Sequence, residues 1–389
     1  MRFLHTSDWH IGRTFHGHST DEHLRTVLGA LADAVTEHDI EVVVVAGDIF
    51  DSSTPKADAF TMFNEAVIAI REAGATVVLT SGNHDGPARL GHLAIFAALG
   101  GVHVRTDLTA IAQPVSLTDQ YGPVHFYGIP YLHPGFLAGA YEDFDGNTHG
   151  EALAFGMALI RADAAARGGR FIVASHCFTT NAHATQEDTG TTEERDIIRG
   201  GLDLVPVSVF DGPDYVALGH IHGRTTLSDH IRYSGAPLRF SFGEKDKPRG
   251  AWIVDLDSQG LANVDWLDLP IPRDVSRLTG TINELLAPGA YQAATDDWVD
   301  ITLTDDTMPL DAMRRCQTKF PHAVSLTHKP ASITPSANAT YADRVAGKSD
   351  LEIIDEFLAF VRNGDGPSDL EKEMVTDSLA AIDAKESSR

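Results

Sequence analysis

Cysteine is almost missing from this 389-residue chain; only Cys177 and Cys316 occur. Two cysteines cannot build a disulfide framework or a four-cysteine zinc site. A reduced, cytoplasmic compartment is the simplest expectation. Long apolar runs are missing too. None approaches the roughly 18 residues of a membrane helix, so no membrane partner is expected. The opening Met1-Arg2-Phe3-Leu4-His5 runs straight into Asp8, which fits no signal peptide. A phosphate-binding loop of the Walker type is lacking, so any ATP dependence must come from another chain. Basic residues are scarce: 30 Lys and Arg stand against 55 Asp and Glu, a net charge of −25. Non-specific nucleic-acid affinity comes mostly from Lys and Arg neutralising phosphates. Such a chain repels nucleic acid unless its basic residues gather on one face or metals supply positive charge.

What remains is an ordinary globular composition, 43% hydrophobic and 22% charged. At roughly 150 residues per domain the length suggests two or three domains. Short β-branched runs alternate with helical patterns through the first two-thirds. Strands are expected at 2–6, 42–46, 76–80, 126–129, 171–174, 215–218 and 252–256. Helical spacing of apolar residues covers 24–35 and 60–70. Strands alternating with helices argue for an α/β layered domain. From about 271 the texture changes to a small α+β unit. Its expected strands are 278–282, 298–303 and 324–327, with a helix over 310–320. Residues 331–349 read as a linker. Leu351, Ile354, Phe357, Leu358 and Val361 then share one helical face. Asn363-Gly364-Asp365-Gly366-Pro367 breaks that helix, and Leu370, Met374 and Leu379 suggest another.

The chemistry gathers in five short segments, each directly after an apolar strand. They are Asp8-Trp9-His10, Gly47-Asp48-Ile49-Phe50-Asp51, Gly82-Asn83-His84-Asp85, Ser175-His176-Cys177 and Gly219-His220-Ile221-His222. Ligands of open α/β sheets bind outside the carboxyl ends of the strands, so five polar turns can converge. In Asp-x-His and His-x-His, residues two apart on an extended segment point the same way. Mixed carboxylate and imidazole donors suit manganese, iron or zinc better than calcium or magnesium. A carboxylate such as Asp48 can bridge two metals about 3.5–4 Å apart, and such a pair can activate water and clamp a phosphoryl oxygen. Singly, each segment reads more simply as a plain loop or turn; the ordered set of five is the signal.

This ordered set resembles the calcineurin-like metallophosphoesterase superfamily, and within it the SbcD nuclease-subunit family. The likeness rests on His5-Thr6-Ser7-Asp8-Trp9-His10-Ile11-Gly12, Ala46-Gly47-Asp48-Ile49-Phe50-Asp51, Ser81-Gly82-Asn83-His84-Asp85 and Tyr215 to His222. Tyr233-Ser234-Gly235-Ala236-Pro237 and Ser241-Phe242-Gly243-Glu244 are similar to the segment that follows, with Ala236 a departure from the usual Ser. The resemblance implies a layered β-sheet sandwich flanked by helices over 1–270, a small α+β capping domain over 271–335, and a linker with helices over 336–389 that dock an SbcC-like coiled-coil ATPase. It implies two manganese ions, although magnesium or another divalent ion could serve. Asp8, His10 and His222 would hold one metal, Asn83, His176 and His220 the other, and Asp48 would bridge. His84 would be catalytic, stabilising the transition state or protonating the leaving oxygen. Asp51 would either orient a ligand histidine or cap the following helix. Cys177 is read as a small buried residue. The implied activity is 3′→5′ exonuclease action on double-stranded DNA plus an ATPase-gated endonuclease in double-strand-break repair, from a homodimer. Leu24–Val35 and Phe60–Ile70 are candidate dimer helices, although core packing explains their apolar faces equally well.

The basic residues do gather. Arg224, Arg232, Arg239, Lys245, Lys247 and Arg249 follow the last metal motif, and Arg314, Arg315 and Lys319 share one expected helix. Arg224, Arg239, Lys245, Lys247, Arg314, Arg315 and Lys319 are therefore candidate DNA contacts; a solvated surface is the plainer alternative. Two other functions compete. One is a phosphodiesterase for a small substrate such as a cyclic nucleotide. The other is a non-catalytic scaffold for an ATPase.

Overall fold

The computed structural model describes residues 1–180, 205–330, 347–362 and 366–386. The chain divides into two compact units, Met1–Arg273 and Asp274–Arg389.

The first unit is an α/β sandwich of two six-stranded sheets. One sheet has the order Gly260–Asp268, Gly250–Asp257, Arg2–Thr6, Val42–Ala46, Thr76–Thr80, Val102–Arg105. Its last four strands are parallel, and Gly250–Asp257 joins antiparallel with His5 opposite Trp252. The second sheet has the order Thr225–Thr226, Ile231–Tyr233, Tyr215–Gly219, Arg170–His176, Gly122–Ile129, Val115–Asp119, with its central four strands parallel.

The run Val42-Val43-Val44-Val45 is apolar throughout because both of its faces are covered. Val43 and Val45 pack with Leu24, Val27, Leu31, Met62 and Ile70 of helices Asp21–Glu37 and Ala57–Glu72. Val42 and Val44 point the other way, into a layer shared with Phe126, Ile172 and Ala217 of the second sheet. That sheet's outer face, with Tyr127, Val173 and Val216, is closed by Leu153, Met157 and Ile160 of helix His149–Arg167. The layers are thus helix, sheet, sheet, helix. The apolar face of Asp21–Glu37 is taken up by this core, whereas Ile68 on Ala57–Glu72 is 54% exposed.

The second unit carries a three-stranded parallel sheet, Val275–Gly280, Trp298–Leu303 and Ala323–His328. Its core joins Val299, Ile301 and Leu303 to Leu285, Cys316 and Phe320. Two expected boundaries move. The first strand stops at Gly280, because Thr281 and Glu284 form a reciprocal capping box that starts helix Ile282–Leu286. The expected helix over 310–320 shrinks to Ala312–Gln317, leaving Lys319 outside it. Helices Asp350–Val361 and Asp369–Glu386 follow. The expected linker lies outside the described residues over 331–346, as does the break over 363–365. One tripeptide needs correcting: Gly347-Lys348-Ser349 is a literal Gly-Lys-Ser. It is no Walker loop, for Ala342 replaces the upstream glycine and Ser349 is the N-cap of Asp350–Val361. No helix among the described residues is long and apolar enough to cross a membrane.

Candidate metal centre

The five segments meet where strands of both sheets end. Asp8 N–H donates to Gly47 O and His10 N–H to Asp48 O, both at 3.0 Å, so the first two loops run side by side. Asp8, His10, Asp48 and His220 all have positive φ, at 55°, 46°, 50° and 106°. Non-glycine residues rarely adopt such values, and they concentrate at functional sites. Two glycines permit the crowding. A Cβ on Gly47 would collide with the His176 ring, and one on Gly82 with the Asp48 carboxylate.

Two groups of donors form around Asp48. In the first, His10 Nε2 lies 3.1 Å from His222 Nε2, and Asp8 completes a set whose donor atoms fall within 4.8 Å of one another. In the second, Asn83 Oδ1 is 3.0 Å from His176 Nε2 and 3.1 Å from His220 Nδ1. Asp48 Oδ2 sits between them, 3.5 Å from His10 Nε2 and 3.4 Å from His176 Nε2. Its other oxygen accepts from His84 N–H at 2.9 Å. His84 Nδ1 faces the Asp51 carbonyl at 3.1 Å. His84, His10 and Asp48 also lie within joint ligand distance of one another. Asp8 is fixed by Ser7 Oγ–H and by His220 N–H, the latter at 3.0 Å.

The donor chemistry is consistent with a cation here. His176 Nδ1 is 2.9 Å from Ala46 O, which can only accept, so Nδ1 carries the ring hydrogen. In the neutral ring, Nε2 is then a lone pair facing Asn83 Oδ1 and Asp48 Oδ2, which are acceptors as well. A proton or a metal ion between them satisfies all three. Without a metal, burial alone would lower the His176 pKa, but the Asp48 charge overcomes it and holds the ring at about 9. Burial drives His220 the other way, to about 3. The donor set fits a pair of divalent ions.

Further residues back the donors. Asp51 Oδ1 is 3.2 Å from both His10 Nδ1 and Arg13 Nη1. It does not cap the next helix, whose N-cap is Lys56. Three contributors were not singled out from the sequence. Asp85 accepts from the N–H groups of Ile49, Phe50 and Gly82, tying two of the loops together. Burial, then the Asp48 charge, pushes its carboxyl up to about 6. Glu244 Oε1 lies 3.4 Å from His222 Nδ1, and its partner Arg249 is fully buried. Arg249 is therefore no part of a basic surface. The only signal for these was their nearness to the recognised segments. Burial raises the Cys177 thiol to about 12, which leaves it inert.

The basic residues are placed unequally. Arg224 is exposed, its guanidinium 4.8 Å from the Trp266 ring centre, and Lys245 is exposed. Arg239 and Lys247 are half-buried, with Arg239 Nη2 donating to Lys247 O at 3.4 Å. Arg314 and Arg315 are exposed, and Arg314 pairs with Asp311 at 2.6 Å. Lys319 instead donates to Leu285 O and Ala287 O, both at 2.8 Å, closing the end of a neighbouring helix.

Comparison with known proteins gives two family matches. A family described as calcineurin-like phosphoesterase matches residues 1–224. A second, SbcD_C, described as the type 5 capsule protein repressor C-terminal domain, matches residues 271–362. Among solved structures, TT1561 of Thermus thermophilus is similar at 12% identity and a TM-score of 0.40, covering 69% of this chain and 98% of that one. A dimetal phosphatase from Danio rerio is similar at 13% identity and 0.42, covering 69% and 99%.

Proposed function

The chain belongs to the calcineurin-like phosphoesterase family, and from that premise we propose that it is a DNA nuclease, the SbcD-like subunit of a complex with a coiled-coil ATPase. The single observation that carries the metal-dependent chemistry is Asp48 Oδ2, placed between His10 Nε2 and His176 Nε2 of two donor groups. Asp8, His10 and His222 would hold one ion, Asn83, His176 and His220 the other, with Asp48 between. When bound, two divalent ions, with manganese the reading favoured here, supply Lewis acidity and lower the pKa of water at the site.

The protein's own residues do the rest. Asp48 fixes the His84 backbone through its N–H, and the Asp51 carbonyl holds the His84 Nδ1 hydrogen. Nε2 is then the atom that exchanges a proton, delivering it to the leaving oxygen of the phosphodiester. Asp51 and Glu244 orient His10 and His222. A DNA substrate is supported by the SbcD_C match over 271–362 and by exposed Arg224, Lys245, Arg314 and Arg315. An ATPase partner is supported by Phe357, Leu370, Met374 and Ile382, apolar side chains exposed on the two terminal helices. A second copy of the chain suits exposed Ile68, Ile95, Phe96 and Leu99.

The test uses the full chain with manganese, without ATP, on end-labelled linear duplex DNA and on a chromogenic small phosphodiester. Stepwise shortening from 3′ ends is expected, with internal cuts only when the ATPase is added. Hydrolysis of the small diester with the DNA left intact would overturn the nuclease reading in favour of a small substrate.

A further inference from the structure

Two segments close to the metal centre supply none of its donors. They are Tyr233-Ser234-Gly235-Ala236-Pro237 and Ser241-Phe242-Gly243-Glu244. Both converge on one residue, His222. Ala236 N–H donates to His222 O at 3.2 Å. Arg249 Nη1 donates to His222 O at 2.5 Å and to Ala236 O at 3.0 Å. Arg249 Nη2 donates to Glu244 Oε2 at 2.6 Å, and Phe240 N–H donates to the same oxygen at 3.0 Å. That leaves Glu244 Oε1 facing His222 Nδ1 at 3.4 Å. His222 is therefore gripped twice, at its carbonyl by Arg249 and at its ring by Glu244.

Both side chains of the Glu244–Arg249 pair are completely buried. A buried ion pair is seldom more stabilising than well-packed apolar residues. Fold stability alone thus gives little reason for one here, and none for aiming Oε1 at the ring. Metal-ligating histidines characteristically donate their second ring N–H to a carboxylate, which fixes the tautomer and raises the basicity of the ligating nitrogen. Asp51 stands in the same relation to His10 Nδ1, backed by Arg13, but it is 32% exposed. The two facing imidazoles are therefore backed by one dry carboxylate and one wet one.

We propose that Glu244, locked by Arg249, is a positioning residue that accepts the Nδ1–H of His222 and so presents the Nε2 lone pair to the metal. This rests on the metal-centre reading above. Glu244→Gln inverts the arrangement. Its single oxygen stays with Arg249 and Phe240, and its NH2 group faces Nδ1, which must then accept. The hydrogen moves to Nε2 and blocks the ligand position.

The experiment is nitrogen-15 NMR of histidine-labelled, metal-free protein, with His222 assigned by loss of its signal in His222→Gln. The wild type is expected to show His222 as the Nδ1–H tautomer and Glu244→Gln as the Nε2–H tautomer. Calorimetric titration should show manganese binding weakened about 10–100-fold in Glu244→Gln. A wild-type His222 in the Nε2–H form overturns the proposal whether or not the variant folds. So does wild-type manganese affinity in a folded Glu244→Gln. If the wild type binds no divalent ion, the metal-centre reading falls, while its His222 tautomer still decides the role of Glu244.

Discussion

His10 Nε2 and His222 Nε2 face each other at 3.1 Å, and each ring has a carboxylate behind its Nδ1. With both rings neutral and their hydrogens on Nδ1, two lone pairs meet head-on. A cation between them turns that repulsion into binding. Divalent ions should therefore stabilise the folded chain, by about 2.7 kcal/mol at a free concentration a hundred times Kd. Thermal unfolding of chelated protein, with manganese, zinc or magnesium added back, measures this. A melting temperature that no divalent ion raises would remove the metal centre.

His84 contacts Asp48 through its main chain and Asp51 through Nδ1, so its ring Nε2 is available for proton transfer. His84→Ala should lower phosphodiester turnover about 100-fold or more while leaving the number of bound ions at two. Loss of one ion in the variant would make His84 a ligand instead, as its joint distance to His10 and Asp48 also permits.

His5 is buried outside the donor set, with Nε2–H donating to Leu218 O and Nδ1 accepting from Tyr215 O–H, both at 3.1 Å. Burial lowers its pKa to about 3. Its folded pKa lies below the unfolded value, so the unfolded chain binds the extra proton first. Stability from this site is complete above about pH 6.5 and falls by up to about 1.4 kcal/mol per pH unit below it. His5→Gln, although weaker overall, should show a shallower acid limb in denaturant titrations at pH 7, 6 and 5. An unchanged slope would mean that His5 does not titrate in this way.

The basic residues of the second unit should separate by role. Arg314→Ala with Arg315→Ala should weaken duplex binding, most visibly at low salt, without moving the melting temperature. Lys319→Met should lower the melting temperature, because the carbonyls of Leu285 and Ala287 lose their donor. Equal loss of DNA binding in both variants, with equal stability, would remove this separation of roles.

Much of this arrangement was legible because the sequence states it locally. Val42–Ala46 reads as a strand from its valines, and the turns after it carry donors in the order in which the strands appear. Helix His149–Arg167 was not legible, since alanines and glycines lie on both its faces and blur the helical period. The strands that complete the second sheet are short or mixed, as in Ile231–Tyr233. Lys319 looked like one of a basic row, but the helix ends at Gln317 and the ammonium folds onto carbonyls 32 and 34 residues away in the chain. Glu244 was visible as the end of a family-like segment and Arg249 as one of a basic row, neither as a support of His222. Their meaning comes from a return of the chain to His222 that no local pattern announces.

The strand Arg2–Thr6 lies between Val42–Ala46 and Gly250–Asp257. Its antiparallel neighbour is made about 240 residues after it. At roughly 5–20 residues per second, the ribosome needs on the order of 10–50 s to deliver that neighbour. Until then the first sheet keeps an open edge, a template for wrong pairing, and this sets a window in which a chaperone would matter most. His222, Glu244 and Arg249 emerge in the same late stretch. The nascent chain thus lacks a complete site until about residue 250, because the last parts of its candidate metal centre arrive with the strand that covers Arg2–Thr6.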